Sequence, residues 1–199
     1  MGLFTAPAPA QLAPANPPIA VFPNHVAQQP TTLVLKEKVF SLTGDSFSVK
    51  NAATGQTVVK VAGKLLTLRD RKQVTDASGH PLYSLRSKVI TIHNVQVGES
   101  PDGKELFRVR SHRLVLGAKL TATFTNASTG QECELNIKGD MFGMGSVIRC
   151  NGQPVAQISR QYLNAAQYYV TVAPGVDLAL IAGICMAFDE AENENRKTE

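Results

Sequence analysis

One stretch near the end of the chain constrains the fold more than any other. Residues 178–188 are apolar at eleven consecutive positions, between Asp177 and Asp189. Leu, Ala and Met favour helix, Asp177 stands where an N-cap is expected, and a Pro-Gly pair just upstream breaks the preceding element. Only two residues of the run are aliphatic and β-branched, so a strand is the weaker alternative.

The apolar run is too short to cross a bilayer. At about 1.5 Å per helical residue it is roughly 16 Å long, against the ~30 Å that a bilayer requires. A helix that is apolar on every side has to be covered on every side. The sequence therefore predicts a helix over residues 177–188 that the rest of the chain wraps, with no transmembrane span.

The upstream sequence has the pattern of an all-β chain. Residues 31–172 show short apolar or alternating runs separated by turn sequences, and two turns, residues 51–55 and 126–130, are near copies. Turn glycines recur at positions 55, 79, 103, 130 and 152, so one hairpin per interval gives ten strands and the flanks add about two. We therefore expect about twelve antiparallel strands in a closed barrel, which leaves no exposed edge and holds the helix in its lumen.

Composition divides the chain into one domain and two tails. Residues 1–30 hold seven of the eleven prolines and no Asp, Glu, Lys or Arg, which predicts a disordered tail that is dispensable for folding. Residues 31–190 form the predicted barrel, and residues 191–199 are expected to be an acidic polar tail. Three widely spaced cysteines and the lack of a signal-peptide pattern favour an intracellular, cytoplasmic protein.

The end of the chain resembles the LURP-one-related family, which belongs with the tubby C-terminal domain and the phospholipid scramblases. The similar features are the Pro174-Gly175 and Asp177 turn, the apolar run and the final Asp189-Glu190 pair. Further similar stretches are Leu-x-Leu-Arg-Asp at 66–70, Asp-Ala-Ser-Gly-x-Pro-Leu at 76–82 and Ile-Lys-Gly-Asp at 137–140. The resemblance covers residues 20–190. It implies a tubby-like barrel of twelve strands around the helix, in a non-enzymatic, membrane-tethered regulator that binds phosphoinositides or other anionic phospholipid head groups.

Other functions remain as alternatives. Scramblases carry an acidic, calcium-loop-like segment before the helix, whereas residues 163–175 contain no carboxylate, so scramblase-like lipid handling is less supported. A protein-interaction module that uses the Pro-rich tail is a second alternative. A barrel that carries a small apolar ligand would need an empty lumen, which the predicted helix opposes.

The charge distribution favours an acidic surface as partner. The formal net charge is +4, yet residues 189–199 hold five carboxylates and two basic residues, so the remaining chain carries about seven positive charges. This mild basicity is not a nucleic-acid footprint, and direct binding of nucleic acid is not expected.

Two basic stretches are candidate lipid-binding sites. Arg108 and Arg110 alternate with apolar residues and therefore share one strand face, and Arg113 follows. Such a stripe can lie against anionic lipid or be the ordinary outer surface of a barrel.

The second stretch is residues 66–72, where Arg69, Arg71 and Lys72 stand at a predicted strand end. The cluster can clamp a phosphate or be a solvated hairpin tip. Arg86 and Lys88, with Lys60 and Lys64, would extend either surface, but the sequence does not say which strands are neighbours.

No pattern of catalysis or of cofactor binding is present in the sequence. The four histidines are scattered, no serine stands in a nucleophile elbow, and the glycine-rich residues 139–145 lack the Lys-Ser/Thr of a phosphate loop. We therefore expect no catalytic residues, no metal and no cofactor.

Overall fold

The computed structural model describes residues 11–36, 46–62, 71–90, 93–114, 117–138, 146–160 and 167–197. A 3-10 turn, Pro23–His25, is followed by twelve strands and a C-terminal helix, α1 (Leu178–Lys197). The strands are β1 (Thr31–Lys36), β2 (Phe47–Asn51), β3 (Thr57–Val61), β4 (Arg71–Asp76), β5 (Pro81–Ile90), β6 (His93–Glu99), β7 (Glu105–Leu114), β8 (Gly117–Thr125), β9 (Glu132–Lys138), β10 (Ser146–Cys150), β11 (Gln153–Arg160) and β12 (Gln167–Val172).

Each strand pairs antiparallel with its neighbours in sequence, and β1 pairs with β12. The sheet therefore closes on itself, and the predicted antiparallel barrel of twelve strands is confirmed. The five turn glycines of the sequence pattern all have positive φ, between 71° and 95°. Alternate connections of an up-and-down barrel lie at the same end, so these five turns and the start of α1 share one end, which we call the turn end.

The apolar part of α1 is buried on every side. Residues 179–182 and 184–188 are at most 1% exposed and Gly183 is buried, because side chains from all around the barrel point inward against them. The prediction of a buried central helix is confirmed. Among the described residues, no helix has the combination of length and apolarity that crossing a membrane would need.

The helix is longer than its apolar run. It continues to Lys197, so the predicted helix end at residue 188 is wrong, and the first seven residues of the predicted acidic polar tail, residues 191–197, are helical. The segment after Asp189 consists mostly of Glu, Ala, Asn, Arg and Lys, several of which favour helix, and no helix breaker interrupts it. The end of the apolar run is therefore not the end of the helix.

Aromatic side chains of the barrel contact the first turns of α1. Tyr83 Oη donates a hydrogen bond to the carbonyl oxygen of Ala179 at 3.0 Å, and Phe107 meets the Tyr83 ring edge-on at 5.1 Å. Gly183 lies beneath both rings, and a Cβ there would stand 2.7 Å from Tyr83 Oη and 2.9 Å from the Phe107 ring. The glycine that weakens the helix in the sequence is thus required by the close approach of the aromatic rings.

The N-terminal segment, residues 11–30, is docked on the turn end. The backbone N–H groups of Ala15, Ile19 and Ala27 donate to carbonyl oxygens of residues 174–176 at 2.8–2.9 Å, and Ala20 is fully buried. The prediction of a disordered tail is therefore wrong for this segment, and residues 1–10 lie outside the described residues. The pairing uses main-chain groups and small side chains, which leave no periodic apolar pattern in the sequence.

Asp177 joins the N-terminal segment to the helix. Its Oδ1 accepts hydrogen bonds from the backbone N–H of Ala179 and Leu180 at 2.8 and 3.0 Å, as an N-cap does. Its Oδ2 accepts from the backbone N–H of Val21 and Phe22 at 3.0 and 2.6 Å. Burial raises the pKa of this carboxyl, and hydrogen bonds from the backbone N–H groups offset part of that rise.

A second buried aspartate lies at the far end of the apolar run. Tyr168 Oη, on the inner side of β12, donates to Asp189 Oδ2 at 2.8 Å, and both residues are at most 4% exposed. The two aspartates that bracket the apolar run in the sequence therefore connect α1 to the surrounding chain at both ends of the run.

Candidate functional site

The outer surface of β4 to β7 collects cations that are far apart in sequence. Arg71 on β4 pairs with Arg86 on β5, and Val97 on β6 pairs with both Arg86 and Arg108. Paired residues of adjacent strands project from the same side of a sheet, so these side chains share one surface. Two residues further along β6, toward the end of the barrel opposite the turn end, Val95 pairs in the same way with Lys88 and Arg110. We call the surface formed by Arg71, Arg86, Lys88, Arg108 and Arg110 the basic face.

The alternation of β7 explains why these side chains point outward. Phe107 and Val109 are 1% exposed on the inner side, so Arg108 and Arg110, which alternate with them, stand on the outer side. β5 follows the same rule, with Tyr83 and Leu85 inside and its two cations outside. The packing of the lumen therefore determines the orientation of the basic face.

The centre of the basic face is apolar beneath its charges. Val97 is completely buried and Val95 is 8% exposed, although both lie on the outer side of β6. Each valine has a long cationic side chain in register on either flank. The aliphatic stems of these cations are long enough to cover the valines, which accounts for the burial of apolar residues on the outer side of the sheet.

A buried carboxylate holds two arginines together. Glu99 Oε1 accepts from Arg86 Nη2 at 2.6 Å, and Glu99 Oε2 lies 3.1 Å from Arg71 Nη2. The Glu99 side chain is only 7% exposed. Like charges directly opposite each other on paired strands repel, and Glu99 offsets that repulsion for the Arg71–Arg86 pair. This unit of two arginines and one carboxylate therefore keeps a net positive charge of one.

Glu105 binds two further cations and is more exposed than Glu99. Arg108 donates to it through Nε at 2.7 Å and Nη2 at 2.8 Å, and Lys88 Nζ lies 3.2 Å from Oε2. The hydrogen bond from Arg108 lowers the pKa of the Glu105 carboxyl, and the same bond raises the pKa of Arg108. Both members of the Arg108–Glu105 pair are about one-third exposed, so an external anion can compete with Glu105 for the guanidinium.

Arg110 is exposed and makes no hydrogen bond or ion pair with the residues that the structure describes. The basic face as a whole has five cations and two carboxylates, which gives it a net positive charge of three. Arg110 is the cation most available to a ligand, and Arg71 and Arg108, whose side chains are 39% and 36% exposed, are partly available.

The opposite wall of the barrel is different. β12 lies across the barrel from β6, and the described outward side chains of β11, β12 and β1 are uncharged; Lys36, which continues the outward register at the end of β1, has its side chain outside the described part. They are Gln157, Ser159, Tyr169, Thr171, Thr32 and Val34. The described outer surface therefore has its densest group of cations on β4 to β7, while β2, β3 and β10 each carry one exposed cation, Lys50, Lys60 and Arg149.

The structure separates the predicted site residues. It brings Arg108 and Arg110 together with Arg71 through β5 and β6, and it adds Arg86 and Lys88 from the neighbouring strands. Lys72 is not part of the basic face, because it pairs with Leu85 and lies on the inner side of β4 with a buried amine.

Two further predicted residues cannot be assigned to the basic face. Arg69 lies outside the described residues. Arg113 is in β7, where its backbone pairs with Ala118 of β8, but its side chain lies outside the described part. The sequence reasoning also missed Glu99 and Glu105. The three-residue spacing of Glu105 and Arg108 was the available signal for the second of these.

The fold and its outer surface define a class: a closed β-barrel filled by its own C-terminal helix, with one basic side. The family model described as LURP-one-related matches residues 31–189 of this chain. The chain therefore belongs to that family. The chain is 28% identical over 191 residues to protein LURP-one-related 15 of Arabidopsis thaliana, covering 89% of this chain and 88% of that protein. It is 26% identical over 189 residues to protein LURP-one-related 10 of the same organism, with 88% and 97% covered.

A solved crystal structure of an Arabidopsis thaliana protein has the same fold. It superimposes with a TM-score of 0.62 at 22% sequence identity, and the match covers 88% of this chain and 98% of that one. The resemblance seen in the sequence motifs is therefore confirmed at the level of family and fold.

Proposed function

We propose that this protein is a non-enzymatic, peripheral binder of anionic phospholipid head groups at a membrane surface, and that the basic face makes the contact. The observation that supports the proposal is the uneven charge of the outer surface: a net charge of three on the basic face, and uncharged described side chains on the opposite wall. A barrel that merely needed a polar exterior would not require this asymmetry.

The geometry suits weak and reversible attachment. Each basic side chain near an anionic leaflet contributes on the order of 1 kcal/mol, so three uncompensated charges are sufficient for transient binding. The Arg guanidinium can hold phosphate oxygens through two parallel hydrogen bonds. Arg110 makes the first contact, and Arg108 then exchanges Glu105 for a lipid phosphate. Glu99 stays in place, because it is buried and holds Arg71 and Arg86.

The relation of the LURP-one-related family to tubby-like and scramblase-like proteins, which the sequence resemblance implies, supports the same class of ligand, with phosphoinositides among the head groups. A free Pro-rich tail as a protein-binding peptide has less support, because residues 12–27 pack on the barrel. The geometry of the basic face also reveals no preference for one head group. Charge is therefore the proposed basis of recognition.

Sedimentation of the full chain with vesicles tests the proposal. The vesicles contain phosphatidylcholine alone, or phosphatidylcholine mixed with phosphatidylserine or with a phosphoinositide. The protein is expected to pellet with both anionic mixtures and not with the neutral vesicles. Binding should fall sharply as added salt shortens the Debye length from ~10 Å to ~3 Å. Equal binding to neutral and anionic vesicles, or no binding to either, would contradict the proposal and leave a protein partner as the better explanation.

A further inference from the structure

Two cysteines that are seventeen positions apart in sequence meet on adjacent strands of the barrel. Cys150, the last residue of β10, pairs in register with Leu135 of β9. Cys133 precedes Leu135 by two positions and therefore lies on the same, inner side of the sheet. The two thiols are thus diagonal neighbours across the β9–β10 pair, on the inner side of the sheet.

The two thiols differ in access. Cys150 is 6% exposed within the core, and Cys133 is half-buried at its edge. Burial raises the pKa of the Cys150 thiol, and the neighbouring Cys133 contributes to the rise. Because the thiolate is the reactive form, the more exposed Cys133 is the better first nucleophile, and Cys150 is placed to react with it second.

The pair lies at the turn end, under the docked N-terminal segment. Asn126, in the turn before β9, accepts a hydrogen bond from the backbone N–H of Ala20 at 3.2 Å and donates one to the carbonyl oxygen of Pro18 at 2.9 Å. Gln153, directly after the turn that follows Cys150, donates to the carbonyl oxygen of Ala13 at 3.5 Å. A covalent bond between β9 and β10 would therefore join the two hairpins that hold this segment.

We propose that Cys133 and Cys150 form a redox-sensitive pair, which a small disulfide such as glutathione disulfide converts into an intramolecular disulfide. The Cys133 thiolate attacks one sulfur of glutathione disulfide, which forms a mixed disulfide and releases one glutathione thiolate. The Cys150 thiolate then attacks the Cys133 sulfur and releases the second glutathione. Two protein thiols are oxidised and one glutathione disulfide is reduced, and the two protons lost by the cysteines end on the two glutathiones.

The third cysteine serves as an internal control. Cys185 lies in α1, 1% exposed and enclosed by the barrel, and burial raises its pKa far above the ordinary value. It has neither the exposure nor the reactivity of Cys133, so the folded protein should leave it as a free thiol.

The test is the intact mass of the folded, full chain after incubation with glutathione disulfide. The wild type and C185S are expected to lose the mass of two hydrogens, and dithiothreitol should restore it. C133S should keep its mass. C150S should instead gain one glutathione on Cys133, because the resolving thiol is absent. C150A is a second variant in case C150S does not fold, and circular dichroism of each protein establishes that it is folded.

Three results would overturn the proposal. The folded wild type could stop at a stable mixed disulfide, it could keep all its thiols while a denatured sample oxidises, or peptide mapping could place the disulfide at Cys185. Each would mean that the diagonal geometry of β9 and β10 does not permit the second step in the native barrel.

Discussion

The two sides of strand β7 obey different constraints. Its inner side presents Phe107 and Val109 to the helix, and both are almost completely buried. Its outer side presents Arg108 and Arg110 to solvent and to neighbouring charges. The inner side has to match a helix that is apolar all around, whereas no packing partner dictates the outer side. A concentration of charge on the outer side is thus not required by the fold, and it is the more informative signal of function.

The contrast predicts that substitutions on the inner side act on stability and those on the outer side act on binding. L180D or I184D should cause the largest effect of all, loss of the folded state. An unpaired buried charge costs several kcal/mol against a total stability of roughly 5–15 kcal/mol. Circular dichroism and size-exclusion chromatography measure the loss, and R110D is the matched control on the outer side, expected to remain folded. A folded L180D protein that melts like the wild type would show that α1 is not the core.

The next largest effect is expected at Asp177. D177A removes the helix N-cap and leaves the backbone N–H groups of Val21 and Phe22 without their acceptor. The expected loss is about 2–4 kcal/mol in thermal or urea unfolding, the cap contributing about 1 kcal/mol of it. D177N keeps an oxygen for the cap and should lose less.

Removal of residues 1–27 should itself lower the melting temperature clearly, contrary to the sequence-based expectation that residues 1–30 are dispensable. In the truncated chain, D177A should lower the free energy of unfolding only by the contribution of the helix N-cap, because Val21 and Phe22 are absent. Full additivity of the truncation and D177A would show that Asp177 does not hold the segment.

A smaller inner effect is expected at Gly183. Gly to Ala in a helix ordinarily stabilises by about 1 kcal/mol. Here G183A should destabilise by roughly 1–3 kcal/mol, because the new Cβ would overlap Tyr83 Oη and the Phe107 ring. Adding Y83F removes the closest of these atoms and should recover part of the loss, as a double-mutant cycle in urea would measure. A gain of stability in G183A alone would show that the rings are not tightly packed on the helix.

The smallest effect is expected on the outer side, at Glu105. E105Q removes the counter-charge of Arg108 and Lys88 and should raise the affinity for anionic vesicles a few-fold. Its effect on stability should be about 1 kcal/mol or less, as is usual for exposed ion pairs. E132Q is a control with the same change of charge at an exposed position on β9. An equal gain of affinity in both variants would indicate a response to net charge alone and not to the local competition for Arg108.

The sequence predicts the inner side of this molecule better than the outer side. The apolar run between two aspartates and the repeated turn glycines are local patterns that the sequence shows directly. Because an apolar helix has to be covered on every side, these patterns together predict a closed barrel around it. The basic face depends on which strands are neighbours and in what register, so Arg86 and Lys88 could not be joined to Arg108 before the topology was known. Lys72 shows the same limit, because one step along a strand reverses the side on which a residue lies.

The docking of the N-terminal segment could not be predicted for a different reason. Its hydrogen bonds are made by main-chain groups, to a turn more than a hundred residues away. Small residues such as Ala15 and Ala20 carry no periodic signal, and the high proline content resembled a linker. Asp177 is visible in the sequence as an N-cap, but the two further hydrogen bonds that it accepts are not.

The most direct test of the central claim compares two charge reversals on the same barrel. R108E/R110E reverses two available cations of the basic face, and K50E/R149E makes the same change of charge at exposed positions of β2 and β10, away from that face. Both proteins are expected to melt within a few degrees of the wild type. In sedimentation with anionic vesicles, R108E/R110E should lose binding, whereas K50E/R149E should keep most of it. Equal losses in the two variants, or full binding by folded R108E/R110E, would contradict the assignment of lipid binding to the basic face.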